Sequence, residues 1–127
     1  MNALASDAGQ RPAPGALRPM REDDLDTVHA VEIRAYEFPW TVGIFRDCLR
    51  ADYPAWVMQI EGRIVGYFLM SIAADEAHVL NICIDPKLQG QGLGRQLLRA
   101  LMRVARAPAR GPGCRAIRSS VGRRGNA

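Results

Sequence analysis

The second part of this 127-residue sequence contains no acidic residue: all thirteen aspartates and glutamates lie at or before Asp85. Residues 1–85 carry seven arginines beside these acids, a net charge of −6, whereas residues 86–127 carry Lys87 and nine arginines, a net charge of +10. The second part would attract a polyanion, either a nucleic acid or a nucleotide cofactor with several phosphates. A disordered basic tail after about residue 107 is the alternative explanation.

Long apolar runs and cysteine clusters are also missing. The sequence has no apolar stretch of about 18 residues or more, and residues 1–15 lack the basic start and apolar stretch of a signal peptide. The three cysteines, Cys48, Cys83 and Cys114, form no Cys-x-x-Cys pair and have no nearby histidine, which argues against zinc and favours reduced thiols. We therefore expect a soluble, cytoplasmic protein with no membrane segment and no metal site.

The length of the chain predicts one compact domain. Turn-forming composition predicts a flexible leader at residues 1–15, the domain itself at residues 16–107, and an atypical basic tail at residues 108–127. Hydrophobic spacing predicts an edge strand at Arg18–Met20, a helix over about 23–35, a second helix capped by Thr41, strands at Ala55–Ile60, Ile64–Ile72 and Ala77–Ile84, and a helix from Gly94 to near Pro108. Gly62 supplies the positive φ that the first strand pair requires in its hairpin turn. This order indicates an α+β fold with a mixed sheet.

A glycine-rich loop lies between the last strand and the last helix. Gly90, Gly92 and Gly94 allow positive φ and let a phosphate approach the backbone, next to the first N–H groups of the following helix. Lys87 and Arg95 flank the loop, which is typical of a diphosphate site. The dinucleotide fingerprint requires an acid about twenty residues further on, and the Walker loop requires Gly-Lys-Ser or Gly-Lys-Thr, so both of these nucleotide sites are excluded.

Six consecutive residues resemble motif A of the GCN5-related N-acetyltransferase (GNAT) superfamily: Gln89, Gly90, Gln91, Gly92, Leu93 and Gly94. The likeness extends to the ribosomal-protein-alanine acetyltransferases (RimI-type) in Ala35–Trp40, Asp75–Ala77 and Leu80–Pro86, and it covers about residues 16–107. The resemblance implies a GNAT acyl-CoA N-acyltransferase fold that is incomplete at the C-terminus. It also implies transfer of acetyl from acetyl-CoA to a protein N-terminal amine, with the N-terminal alanine of a ribosomal protein as acceptor.

The resemblance further implies which residues bind. In the family, acetyl-CoA lies in a V-shaped cleft between two splaying strands, and its pantetheine arm pairs with the first of them. The implied cofactor-binding residues are Ile82, Cys83, Ile84, Gln89, Gly90, Gln91, Gly92, Leu93, Gly94, Arg95 and Asn126. The corner formed by Phe38, Pro39 and Trp40 would border the groove for the protein acceptor; alternatively, Trp40 packs under the second helix.

The catalytic residues of the RimI-type family have no match in this sequence. Acetyl transfer to an amine needs a base for the amine proton and an acid for the leaving thiolate, which in the family are a Glu on the next strand and a Tyr near the C-terminus. Val121 stands in the place of the Glu, and we hypothesise a compensated shift of reading frame over roughly 107–122 followed by truncation. The best remaining carboxylate is Glu76, whereas His29 and His78 are expected to be structural.

Two other functions remain as alternatives. The chain could be a catalytically inactive acetyl-CoA-binding fragment or pseudoenzyme, because the cofactor motif is present and the catalytic residues are not. A nucleic-acid-binding module that uses the basic part ranks last, since the sequence has neither interleaved aromatic residues nor a nucleic-acid motif.

Overall fold

The computed structural model describes residues 15–106 and the backbone of residues 116–119. Its helices and strands are β1 (Ala16–Pro19), α1 (Leu25–Ala35), α2 (Val42–Arg50), β2 (Ala55–Ile60), β3 (Arg63–Ala73), β4 (Glu76–Ile84), α3 (Leu93–Arg106) and β5 (Ala116–Ser119). Short 3-10 helices at Glu22–Asp24 and Pro86–Leu88 precede α1 and the glycine-rich loop. The strands form one mixed sheet in the order β1-β2-β3-β4-β5, antiparallel except for β5, which is parallel to β4. Within the described residues, no helix combines the length and the apolarity needed to cross a membrane.

The elements predicted for residues 16–107 are confirmed, with bounds that differ by one or two residues. Thr41 caps α2, since its hydroxyl oxygen accepts the N–H of Ile44 at 3.2 Å. Gly62 has φ +79° in the β2–β3 turn and Glu61 has φ +53° beside it, a pair that suits the twist of a tight hairpin. β5 was not predicted, because a four-residue strand is too short to show a period and its position depends on pairing with β4.

Helices cover both faces of the sheet. The side chains of β3 alternate between the faces: Tyr67 and Leu69 pack under α1 and α2, whereas Phe68 and Met70 pack with α3. All four side chains are fully buried, and burial of each large apolar side chain stabilises the fold by roughly 1.5–3 kcal/mol. This two-sided core fixes β3 and its neighbour β4, which carries the candidate site.

Halfway along β4 its pairing changes. The register with β3 slips by one residue after the Leu69–Asn81 pair, which makes Leu80 the extra residue of a β-bulge. On the other side, β5 pairs with β4 only as far as Val79. From Leu80 to Ile84, the side of β4 away from β3 therefore has no strand partner in the described part of the chain. We call this stretch the outer edge of β4.

Candidate cofactor and acceptor site

The outer edge of β4 presents the backbone groups of alternate residues. The N–H of Asp85 donates to the carbonyl of Val65 in β3 at 2.8 Å, and in an antiparallel pair the residues bonded to the partner alternate with residues that face away from it. Cys83 therefore bonds toward β3, whereas Ile82 and Ile84 direct their N–H and C=O groups to the outer edge. Of the three strand residues predicted to bind the cofactor, these two expose the groups that an added strand requires.

Two side chains already contact carbonyl oxygens on this edge. The hydroxyl of Tyr36 donates to the carbonyl of Ile82 at 2.6 Å, and the side-chain amide of Gln89 donates to the carbonyl of Ile84 at 3.1 Å. Tyr36 is the C-cap residue that follows α1, and Gln89 begins the glycine-rich loop. Gln89 was predicted from the sequence as a site residue, whereas Tyr36 was not.

Two of the three glycines in the loop have the predicted backbone conformation. Gly90 has φ +88° and Gly92 has φ +84°, and a Cβ at either position would meet nothing within 4 Å. Backbone conformation, rather than lack of space, therefore selects glycine at both positions. Gly94 does not adopt the positive φ that glycine allows, because this residue lies in the first turn of α3. A Cβ there would make an ordinary contact, 3.9 Å from Cγ1 of Ile84.

The loop leads directly into the N-terminus of α3. The carbonyl of Gly92 accepts the N–H of Gln96 at 3.2 Å, so the N–H groups of Leu93, Gly94 and Arg95 have no acceptor within the helix. These groups, together with the positive end of the helix macrodipole, have the geometry and charge that suit an anion. Leu93 is only 1% exposed and fixes this turn to the core.

Asp85 holds the short helix that leads into the loop. Its carboxylate accepts the backbone N–H of Lys87 at 3.0 Å and the guanidinium of Arg34 at 2.8 Å. Burial, the largest single influence, opposes ionisation, but the two hydrogen bonds and the positive charges of Arg34 and Lys87 together hold the pKa of Asp85 below its ordinary value. The side chains of Lys87, Gln91 and Arg95 are exposed around the loop, where they can donate to a phosphate.

The predicted acceptor corner consists of an exposed part and a packed part. Phe38 is 65% exposed, and Pro39 is exposed beside it. Trp40 is half-buried, with its ring edge-on to Phe45 of α2 and the ring centroids 5.1 Å apart. The alternative that Trp40 packs against the second helix is thus supported, whereas Phe38 remains accessible to a ligand.

A buried carboxylate that sequence analysis missed holds this corner in place. One oxygen of the fully buried Glu32 accepts the hydroxyl of Tyr67 at 2.7 Å and the side-chain amide of Asn81 at 2.9 Å, and the other accepts the backbone N–H of Trp40 at 2.9 Å. We call these four residues the Glu32 network. Burial raises the pKa of Tyr67 far above its ordinary value, so this hydroxyl remains a neutral donor. A sequence signal existed, since Glu32 follows Val28 by four residues on the apolar face of α1.

The remaining candidates for catalysis and cofactor contact lie away from this edge or outside the described residues. Glu76 begins β4 and pairs with Ala73, four residues before Leu80, which is roughly 13 Å along a strand. Nε2 of His78 is buried with no hydrogen-bond partner among the described residues. Asn126 lies outside the described residues, and within them no three His, Cys, Asp or Glu side chains form a potential metal site.

The fold and the loop agree with what comparison with known families finds. The family described as "Acetyltransferase (GNAT) family" matches residues 18–126, so this chain belongs to the GNAT acetyltransferase family. It is 33% identical over 93 residues to the "Putative [ribosomal protein bS18]-alanine N-acetyltransferase" of Bacillus subtilis (strain 168). It is 34% identical over 79 residues to the "[Ribosomal protein bS18]-alanine N-acetyltransferase" of Escherichia coli (strain K12).

These matches span only part of each relative. The Bacillus match covers 72% of this chain and 62% of its relative, and the Escherichia match covers 62% and 53%. A crystal structure of the Escherichia coli ribosomal-protein-S18-alanine N-acetyltransferase has a TM-score of 0.66 at 30% identity, covering 71% of this chain and 58% of that chain. The loading GNATL domain of CurA from Lyngbya majuscula, with a TM-score of 0.71 at 18% identity and coverage of 84% and 64%, supports the fold alone.

Proposed function

We propose that this protein is a cytoplasmic N-acetyltransferase that transfers acetyl from acetyl-CoA to the N-terminal amine of a protein. The proposed acceptor is the N-terminal alanine of a ribosomal protein, by analogy with the relatives from Bacillus and Escherichia. The observation that carries the proposal is the continuity of two features. The outer edge of β4 offers unpaired strand positions, and it leads through one short helix into a loop whose glycines and helix N-terminus suit an anion.

The cofactor would use these two features for different parts of its structure. Amides of a pantetheine arm can pair with Ile82 and Ile84 as an added strand does, because both residues direct backbone groups outward. A diphosphate can accept hydrogen bonds from the N–H groups that begin α3, beside the exposed Lys87 and Arg95. Acetyl-CoA supplies the acetyl group as a thioester. The bulge at Leu80 supports a cleft here, because β4 changes its pairing where its contact with β5 ends.

The acceptor groove is proposed to run beside Phe38, Pro39 and Trp40. Phe38 is the exposed aromatic residue of this corner, and the backbone of Trp40 is fixed by the Glu32 network. A fixed corner presents its exposed side chain at a constant position, which suits recognition of an extended peptide end. No nucleic acid, membrane or metal partner is proposed.

A second candidate function is that of an acetyl-CoA-binding protein that does not catalyse transfer. It is favoured by the positions of the carboxylates that could act as the base. Glu32 already accepts three hydrogen bonds through its two oxygens, so both oxygens serve the structure. Glu76 is roughly 13 Å along the strand from the bulge, and by the family resemblance Val121 would take the place of the family's Glu. These observations favour binding over catalysis.

Acetyl-CoA binding and thiol release together test the proposal and separate the two functions. The full chain is titrated with acetyl-CoA by calorimetry, and thiol release is then followed with and without a peptide that begins with alanine. Saturable binding with peptide-dependent thiol release would support the acetyltransferase. Binding without release would select the second candidate, and absence of binding would contradict both.

A further inference from the structure

Tyr36 is held at the outer edge of β4 from both ends of its side chain. It is the C-cap of α1, where its N–H donates to the carbonyl of Glu32 at 3.0 Å, and its backbone is extended, with φ −126° and ψ 142°. Its half-buried ring packs against the core cluster under α1 and α2. From this fixed base, its hydroxyl donates to the carbonyl of Ile82 at 2.6 Å. The short distance indicates a well-formed O–H···O hydrogen bond.

The carbonyl of Ile82 is one of the acceptors that an added strand would need. The backbone N–H and C=O of Ile82 point away from β3. Asp85 bonds to Val65 of β3, and residues that bond to the partner strand alternate with residues that do not. Strand addition matches an amide N–H of the incoming chain to each outward carbonyl. At Ile82 the phenolic hydroxyl already makes this hydrogen bond within the protein.

We propose that the Tyr36 hydroxyl is a placeholder at the pantetheine subsite, which leaves the Ile82 carbonyl when an amide N–H of coenzyme A takes its position. The inference rests on the proposed function, because it concerns the same cofactor edge. Cofactor entry then exchanges one hydrogen bond for another at Ile82 rather than adding one. Tyr36 thereby lowers the affinity for the pantetheine arm while leaving the diphosphate subsite, at the start of α3, unaffected.

Removing the hydroxyl should therefore strengthen cofactor binding. In Tyr36→Phe, the Ile82 carbonyl of the free protein bonds to water instead of to the phenol, and the net value of one hydrogen bond no longer opposes binding. We expect coenzyme A to bind about 2- to 10-fold more tightly to Y36F than to the unmodified protein. Adenosine 3′,5′-bisphosphate lacks the pantetheine arm, so its affinity should be the same in both proteins.

Calorimetric titration of the full chain with these two ligands tests the inference. Tyr53→Phe is the matched control, because Tyr53 is 39% exposed and lies beyond the end of α2 rather than on the edge of β4. Tighter binding of coenzyme A to Y36F, with no change for adenosine 3′,5′-bisphosphate or for Y53F, supports the placeholder. Equal or weaker binding of coenzyme A to Y36F overturns it, since the carbonyl would then accept both donors or the hydroxyl would bind the cofactor. If neither protein binds coenzyme A, the proposed function fails with it.

A measurement on the unmodified protein keeps the inference testable if Y36F does not fold. The ring carbon that carries the hydroxyl of Tyr36 can be followed by NMR in tyrosine-labelled protein. Its chemical shift should change on saturation with coenzyme A and stay unchanged with adenosine 3′,5′-bisphosphate. A signal that does not respond to coenzyme A would show that the hydroxyl keeps its bond to Ile82.

Discussion

The two ends of the candidate site are held in place in different ways. At the loop end, the binding groups belong to the backbone: outward groups of Ile82 and Ile84, the left-handed glycines and the first N–H groups of α3. At the corner end, one buried side chain, Glu32, joins α1 to β3, β4 and the backbone of Trp40. A backbone site tolerates changes of side chain but not of local conformation. The corner, in contrast, depends on one carboxylate, so the two ends should respond to different substitutions.

The largest effect on stability is expected from Glu32→Ala. This change removes the acceptor of three hydrogen bonds, so the buried hydroxyl of Tyr67 and the buried amide of Asn81 lose their hydrogen bonds to Glu32. We expect the free energy of unfolding to fall by about 3 kcal/mol or more, since each buried polar group that loses its partner costs roughly 1–3 kcal/mol. Urea unfolding followed by circular dichroism measures this loss.

Glu37→Ala is the matched control for the corner, because Glu37 is exposed just after α1. Its free energy of unfolding should change by less than about 0.5 kcal/mol. Similar losses in the two variants would mean that the Glu32 network does not hold the corner, and the contrast between the two ends would then disappear.

The loop end is expected to respond most strongly to Gly92→Val. A β-branched side chain at φ +84° is strained, which should lower the free energy of unfolding by about 1–3 kcal/mol or change the loop conformation. In either case the backbone N–H groups move, and we expect the affinity for coenzyme A to fall about 10-fold or more. Calorimetric titration measures the affinity, and Gly43→Ala in α2, where a Cβ makes an ordinary contact at 3.6 Å, should leave it unchanged. An unaltered affinity in G92V would place the phosphate site elsewhere.

The same contrast explains which features the sequence could predict. Positive φ at Gly62, Gly90 and Gly92 was predictable because glycine is the residue that adopts it readily, and helix and strand periods predicted the order of the elements and the mixed sheet. The Glu32 network was not predicted, because its two side-chain partners, Tyr67 and Asn81, lie 35 and 49 residues away along the chain. No local pattern brings them together, although a glutamate on the apolar face of a helix signals a buried partner.

The contact between Tyr36 and Ile82 was hidden for the same reason, at a separation of 46 residues. Gly94 differs from the other two glycines of the loop, which have a positive φ. Three regularly spaced glycines suggest one shared role, but α3 begins at Leu93, so Gly94 adopts ordinary helical geometry. Where a helix begins depends on how Leu93 packs in the core, which a glycine pattern does not encode.

The smallest effect is expected at the ion pair that joins the two ends. Arg34 of α1 bonds to Asp85 before the loop at 2.8 Å, and the side chain of Arg34 is 39% exposed. Because the pKa of Asp85 is lowered in the folded protein, its contribution is fully present above the unfolded pKa of about 3.9 and is lost as the pH falls through the folded pKa. Arg34→Gln should therefore lower the free energy of unfolding by about 0.5 kcal/mol at neutral pH, and the difference should vanish in acid.

The free energy of unfolding is measured from neutral to acidic pH for the unmodified protein, R34Q and R99Q. Arg99 is exposed on α3 and has no carboxylate partner within residues 15–106, so R99Q should run parallel to the unmodified protein. A difference for R34Q that stays constant down to low pH would mean that lost packing, not the charge of Asp85, causes it. Coenzyme A affinity should remain within about 2-fold in R34Q, because the backbone groups proposed to bind it do not include this exposed side chain.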